Sequence, residues 1–363
     1  MRVGLDGTPL IGELTGIGWY TYWLAAALAK QPGVDQVRLL PFSWHAAAAA
    51  VPPSPRIGLV RRPLPARPLW WCWRHTGLPP LDALLRADVF HGTNFVAPPS
   101  WRVPVVVTVH DLWFVRHPED VSAAQRALAQ ALPSLLRRAG AVITVSEHSR
   151  GELLDWLPEL EGRTTTVALA PRPRTAAAAV PAGLPDAGAP FLLMLGSVNA
   201  RKNLPGALKA LREVRRRTGS GRLVIAGHVD RTIDLDGRLR AHGLSSADVI
   251  GLGYVRDGEA RWLLENARLL LSSSAHEGFG MPIVEAMAAG LPVVAVAGGA
   301  VPEVAGDAAV LVGSAAELGE AASRLLLDEE ARAELARRGR IRARRFSWEA
   351  TAAATLAVYA TLG

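Results

Sequence analysis

The chain has 363 residues, half of them hydrophobic and only 20% charged, which excludes a disordered polymer and a disulfide-stapled miniprotein. At about 150 residues per domain, that length suggests two domains, each able to bury its own core. Forty basic residues against 33 acidic ones leave a formal charge of +7, and only Lys30, Lys202 and Lys209 are lysines, so the surplus is arginine, which attracts phosphates whatever carries them. 

One cysteine, Cys72, excludes an intramolecular disulfide, and no Cys/His set has structural-zinc spacing, so a reducing cytoplasm is the expected setting. Asp6 and Glu13 interrupt the apolar run that a signal peptide needs, and no window reaches the roughly 18 apolar residues of a membrane span. Membrane contact is therefore expected to be peripheral. After a first strand, Thr15-Gly-Ile-Gly-Trp-Tyr opens an aromatic helix, but it lacks the Gly-x-Gly-x-x-Gly spacing of a dinucleotide site. The stretch 52–80 reads as irregular and carries Trp70, Trp71 and Trp73. Around it, Arg38, Arg56, Arg61, Arg62, Arg67 and Arg74 occur with no acid between 36 and 81. Such a segment could lie on anionic lipid headgroups through 56–74, or pack its tryptophans on the first domain with arginines in water.

Apolar runs at 105–109, 142–145, 191–195, 223–226, 249–254, 269–272 and 292–296, each followed by helical periodicity, predict an α/β protein with parallel sheets buried on both faces. Between 170 and 190 a Pro-Arg-Pro-Arg and Ala-rich stretch supports no core, so the domains are expected at 1–180 and 186–345. Ser347 is the expected cap of a last helix, 347–363.

Ser274-Ala-His-Glu-Gly-Phe-Gly-Met-Pro-Ile-Val-Glu285 follows a strand and enters a helix. Gly278 and Gly280 allow close approach of a ligand, and the helix start offers free N–H groups suited to phosphate. Glu285, about one turn in, can accept hydrogen bonds from vicinal hydroxyls. Upstream, Gly196-Ser-Val-Asn-Ala-Arg-Lys-Asn-Leu204 puts Arg201 and Lys202 at the carboxyl end of a strand, the ligand side of such sheets. His110-Asp111 ends the strand 105–109. His91-Gly-Thr-Asn94 and Gly251-Leu-Gly-Tyr-Val-Arg-Asp257 are further strand-end candidates.

Glu277 and Glu285, with Gly-Phe-Gly between them, resemble the paired-glutamate motif of retaining GT-B glycosyltransferases of family 4, glycosyltransferase group 1. The Gly-Ile-Gly start and the His-Glu-Gly-Phe-Gly segment are similar to its bacterial mannosyltransferases. The resemblance is strong over 191–311 and faint over 31–86. It implies two Rossmann-like domains facing across a cleft, with 347–363 packing back on the first. It also implies hexosyl transfer with retention from a nucleotide sugar, GDP-mannose being preferred, to a glycan or lipid-linked glycan of a bacterial surface polysaccharide.

The same resemblance assigns Glu277, His110, Arg201 and Lys202 to catalysis: Glu277 on hydroxyls of the donor sugar, His110 on the transferred sugar, and the two cations on the departing diphosphate. Donor contacts would come from Gly16, Ser197, Arg201, Lys202, Tyr254, Val255, Gly278, Phe279, Gly280 and Met281, with Glu285 on the ribose. No metal or other cofactor is implied, because Arg201 and Lys202 can supply a divalent ion's charge. No carboxylate is an evident nucleophile, so front-face attack is the expected route to retention. The implied location is the cytoplasm, with peripheral contact at the inner face of the cytoplasmic membrane. A sugar phosphorylase or synthase working on a soluble disaccharide, and a nucleotide-sugar binding protein without turnover, are the alternatives. Nucleic acid is not an expected partner, since no recognition helix or RNA-binding motif is present.

Overall fold

The computed structural model describes residues 1–95, 97–230 and 232–363, with every side chain in them except those of Arg67, Arg74 and His75. The chain divides into two units, 1–169 with 347–363, and 170–346. In the first, strands β1 (Arg2–Asp6), β2 (Gln36–Leu40), β3 (Ile57–Leu59), β4 (Val89–Gly92), β5 (Val105–Val109), β6 (Ala141–Thr144) and β7 (Thr164–Thr166) form one parallel sheet in the order β3-β2-β1-β4-β5-β6-β7. In the second, β8 (Leu192–Leu195), β9 (Leu223–Ala226), β10 (Val249–Gly253), β11 (Leu269–Ser272), β12 (Val293–Val296) and β13 (Val310–Val312) are ordered β10-β9-β8-β11-β12-β13. Each is a doubly wound α/β unit. Its strand order reverses beside the first strand, at β1/β4 and at β8/β11, which is where such sheets open a crevice at their carboxyl edge.

The central strands bury both faces: every residue of β5 and of β12 is buried. That is why they stand out in the sequence as apolar runs, interrupted only by Thr108 in β5.

The stretch 52–80 is not irregular. It contains β3 and a helix, Ala66–His75, which starts after an extended Pro65 and tolerates Pro68 because first-turn N–H groups have no intrahelical acceptor. Leu69 and Trp73, four apart and so on one face, enter the core. The Trp73 ring stands edge-on to Phe42 at 5.1 Å, and its Nε1 donates to the Pro79 carbonyl at 2.9 Å. Trp70 is half-buried beside it, whereas Trp71 is exposed. Of the three tryptophans expected to act together, two serve the core. Arg56, Arg61 and Arg62 face solvent, and the side chains of Arg67 and Arg74 lie outside those described.

The units part at 169/170, ahead of the 180 and 186 expected from composition. Residues 170–179 are tied to the second unit: the Ala179 N–H donates to the Gly258 carbonyl at 3.0 Å, and the Ala176 N–H to Asp257 Oδ2 at 3.3 Å. Ser347 Oγ accepts from the Ala350 N–H at 3.1 Å, capping the helix Trp348–Ala360, which packs on the helix Gly16–Leu28 of the first unit. His91 helps anchor it. Fully buried, its ring bonds Tyr359 Oη at 2.7 Å and Thr108 Oγ1 at 2.6 Å. Burial, with a smaller push from His110, brings its pKa down to about 3, so His91 is a neutral structural link instead of a ligand-facing group.

Candidate active site

In the second unit, the loops after β8 and β11 lie side by side at the reversal point. The first turns tightly at Gly196 (φ +105°) into a short 3₁₀ turn, Ala200–Lys202, whose cap is Asn199: its Oδ1 accepts from the Lys202 N–H at 3.3 Å. The two loops are pinned together through the main-chain carbonyls of Arg201 and Lys202. Ser273 Oγ donates to the Lys202 carbonyl at 2.8 Å, and the Ala275 N–H donates to the Arg201 carbonyl at 2.9 Å.

This pinning directs both cations at one carboxylate. Arg201 Nη1 donates to Glu277 Oε2 at 2.7 Å and to the His276 carbonyl at 2.7 Å; Lys202 Nζ donates to Glu277 Oε1 at 2.6 Å. Lys202 and Glu277 are buried. Burial pushes the Glu277 pKa up, but Arg201 foremost and then Lys202 outweigh it and hold the carboxyl well below the usual range. The cluster is ionised and keeps one positive charge in excess. A buried surplus cation on preorganised groups is suited to a second anion, such as a diphosphate.

A third loop, which sequence reasoning missed, cradles Glu277 from behind. A Cβ at Gly298 would lie 2.3 Å from the Ala275 carbonyl oxygen, and one at Gly299 (φ +64°) would lie 2.3 Å from that of Glu277, so neither position accepts a side chain unless the loop moves. The Ala300 N–H donates to that same Glu277 carbonyl at 2.8 Å. The available signal was the Gly298-Gly299 pair, one residue beyond the strand expected at 292–296.

Gly280 (φ +93°) precedes the helix Met281–Ala289 and has the backbone angle that favours glycine at such a start; Pro282 occupies the first turn. Gly278 is buried and Met281 half-buried. Phe279 is buried with its ring edge-on to Phe346 at 5.5 Å, which makes it a packing residue. Ser197 is exposed on the β8 loop, Val255 is half-buried after β10, and Tyr254 stacks on His228 at 6.0 Å.

Glu285 belongs to a separate charge cluster. Arg174 Nη2 donates to its Oε2, while Arg174 Nη1 reaches Asp257 Oδ1 at 3.2 Å and Arg172 Nη2 approaches the same oxygen at 3.5 Å. Burial pushes the Glu285 pKa up and Arg174 pulls it back, leaving it raised. The sequence placed Arg172 and Arg174 in a linker. Asp234-Leu-Asp236, the chain's one Asp-x-Asp, starts a helix: Asp234 Oδ1 accepts from the Gly237 N–H at 2.9 Å.

In the first unit, Gly16 begins the helix Gly16–Leu28 with open space around it, and Gly18 is required because a Cβ there would lie 2.7 Å from the Pro9 carbonyl oxygen. His110 is half-buried at the end of β5. Its Nε2 donates to the Thr93 carbonyl at 2.8 Å, and its ring meets the edge of Tyr20 at 5.0 Å. Burial lowers its pKa against the pull of the Thr93 carbonyl and Asp111. A neutral ring with Nε2–H so engaged offers Nδ1 only as an acceptor. Asp111 does not orient that ring; its Oδ1 accepts from the Trp113 N–H at 3.1 Å.

Two family models match the chain: "Glycosyltransferase Family 4" over residues 14–168 and "Glycosyl transferases group 1" over 180–342. O-antigen chain mannosyltransferase B of Escherichia coli is 32% identical, with 100% of each chain covered. Glycogen synthase of Mycobacterium tuberculosis is 31% identical over 77% of this chain and 70% of its own. Among solved structures, sucrose-phosphate synthase from Thermosynechococcus elongatus superposes with a TM-score of 0.79 at 21% identity, covering 100% of this chain and 99% of the other.

Proposed function

The chain belongs to the group 1 glycosyl transferases and has their two-domain GT-B fold, and from that membership we propose that it moves a mannosyl group from GDP-mannose, with retention and without a metal, onto a glycan or lipid-linked glycan of a bacterial surface polysaccharide. It is a glycosyltransferase; the sugar, base, stereochemistry and acceptor are this reading's own. The observation that carries it is the Arg201–Lys202–Glu277 cluster, an enclosed triad with one positive charge over at the reversal point of the second sheet.

In the proposed reaction the donor diphosphate lies against Arg201 and Lys202. The bond from the sugar's anomeric carbon to the phosphate oxygen breaks, and the acceptor oxygen bonds to that carbon on the same face. The acceptor's proton passes to the departing phosphate oxygen. The ionised Glu277 accepts hydrogen bonds from donor-sugar hydroxyls, Glu285 accepts them from the ribose, and His110 Nδ1 accepts one from a sugar hydroxyl. Mannose is supported by the O-antigen relative, whose name is that of a mannosyltransferase. The likeness to a protein named glycogen synthase supports the synthase half of the second reading, a sugar phosphorylase or synthase acting on a soluble disaccharide.

No helix among the described residues is long and apolar enough to cross a membrane. Peripheral contact with an anionic membrane is supported by three exposed tryptophans, Trp44, Trp71 and Trp101, in the first unit, whose stretch 36–81 carries six arginines and no acid. Trp71→Ala with Trp101→Ala is expected to reduce co-sedimentation with phosphatidylglycerol vesicles several-fold; unchanged sedimentation removes the membrane from the reading.

The donor assignment is tested by steady-state assays with GDP-mannose, GDP-glucose, UDP-glucose and ADP-glucose in the presence of EDTA. Transfer from GDP-mannose, with the product's anomeric configuration unchanged by NMR, is the expected result. Activity restored only by a divalent ion, or inversion at the anomeric carbon, refutes it. Turnover of inorganic phosphate and a free disaccharide without any nucleotide favours the phosphorylase.

A further inference from the structure

Arg174 stands out because composition gives it no reason to be ordered. It lies in a Pro-Arg-Pro-Arg stretch with few apolar residues to anchor it, yet both it and Arg172 are nearly buried. The order comes from the helix Asp257–Asn266. Ala176 and Ala179 hydrogen-bond to its first turn, and Gly258 has no Cβ there because one would lie 2.3 Å from the Ala177 carbonyl oxygen. The segment is thus clipped down flat, with Asp257 holding one arm of the Arg174 guanidinium at 3.2 Å. The other arm reaches Glu285 across 111 positions of sequence.

The pairing is one-sided. Arg174 Nη2 takes Glu285 Oε2, and no hydrogen bond from the described residues reaches Oε1. We propose that Arg174 is a positioning residue of the donor site: it fixes one carboxylate oxygen of Glu285 and leaves the other to accept the ribose hydroxyls of a nucleoside diphosphate. The inference rests on the donor-site reading above, within which Glu285 holds the ribose.

Two consequences distinguish this role from mere bracing. A carboxylate anchored at one oxygen has its remaining lone pairs preorganised, so the benefit is confined to ligands that carry the two hydroxyls. And Glu285, drawn toward protonation by burial and by Asp257, has Arg174 as the cation that opposes that protonation; Arg340, from the helix Glu329–Ala343, lies against Gly290 at the far end of the Glu285 helix. Without Arg174, Glu285 takes up a proton more readily, and ribose binding weakens as pH falls.

The test is calorimetric binding of GDP and UDP, each beside its 2′,3′-dideoxy form, to the full chain and to Arg174→Met and Arg174→Lys between pH 5.5 and 8.5. Wild type is expected to prefer the hydroxylated nucleotide at every pH. Arg174→Met is expected to lose about tenfold of that preference at the acid end, where one decade of affinity is one decade of carboxylate occupancy, and to recover as pH rises only to the roughly threefold deficit that loss of the fork leaves. Arg174→Lys keeps the charge without the fork and is expected to lose about threefold with no pH trend. A preference unchanged in Arg174→Met, or equal losses for both forms at all pH values, overturns the inference. If Arg174→Met does not fold, an unchanged preference in Arg174→Lys overturns it instead. Wild type binding neither diphosphate refutes the donor-site reading itself.

Discussion

Lys202→Ala is expected to lower turnover by about 10²- to 10³-fold while the donor KM changes much less, the signature of an interaction made mainly in the transition state. Nζ is held at 2.6 Å from Glu277 within a buried cluster, so it is aimed and desolvated before any donor arrives. Charge builds on the departing diphosphate as its bond to the sugar breaks, and a fixed cation stabilises that charge without reorganising. Alanine removes the cation and leaves Arg201 to balance Glu277 alone, so the surplus positive charge disappears from the site. Steady-state kinetics decide the matter. Unchanged turnover would remove Lys202 from the chemistry.

Glu277→Ala is expected to abolish transfer and to destabilise the second unit by about 3–5 kcal/mol, because it removes the carboxylate that the buried Lys202 and the half-buried Arg201 now share. The folded carboxyl has a lowered pKa, with an unfolded value of about 4.5, so its stabilising contribution is complete above that value and is lost as pH falls below it. Urea unfolding should therefore show the full gap between wild type and variant at pH 7, and a narrowing gap below about pH 4.5. A constant gap over that range would mean that the charge of Glu277 is not what stabilises the fold.

What the sequence revealed of the fold depended on burial. β9 and β12 are apolar along their whole length, and β5 at all but Thr108, because both faces of a central parallel strand are covered. β3 and β7 escaped notice, being three-residue strands at the sheet edge, and β7 is three threonines. The helix Ala66–His75 was hidden by prolines that read as breakers although they stand at and just inside its start.

The site divides in the same way. Arg201, Lys202 and Glu277 were legible because each sits in a short strand-to-helix loop whose residue types carry the chemistry, and the structure brings the three together. His91 read as a ligand-facing group and turned out to serve the core, since nothing local reveals that Tyr359 arrives from the other end of the chain. Arg174 and Gly299 were invisible for a related reason. Their partners, Glu285 and the Glu277 main chain, are set by the packing of distant loops, and composition around Arg174 pointed to a linker.

In the proposed reaction the second unit binds a nucleoside diphosphate at Lys202, Glu277 and Glu285, and every other assigned role requires that binding. The most direct test is the melting temperature of the full chain with UDP, GDP, dTDP, ADP and NAD, measured in EDTA, alongside Glu285→Ala. A ligand that binds the native state raises the transition in proportion to the logarithm of its concentration once the site is saturated. One nucleoside diphosphate, with GDP expected, should raise it in wild type and fail to do so in Glu285→Ala. No shift with any diphosphate, or an equal shift in the variant, would contradict the donor site.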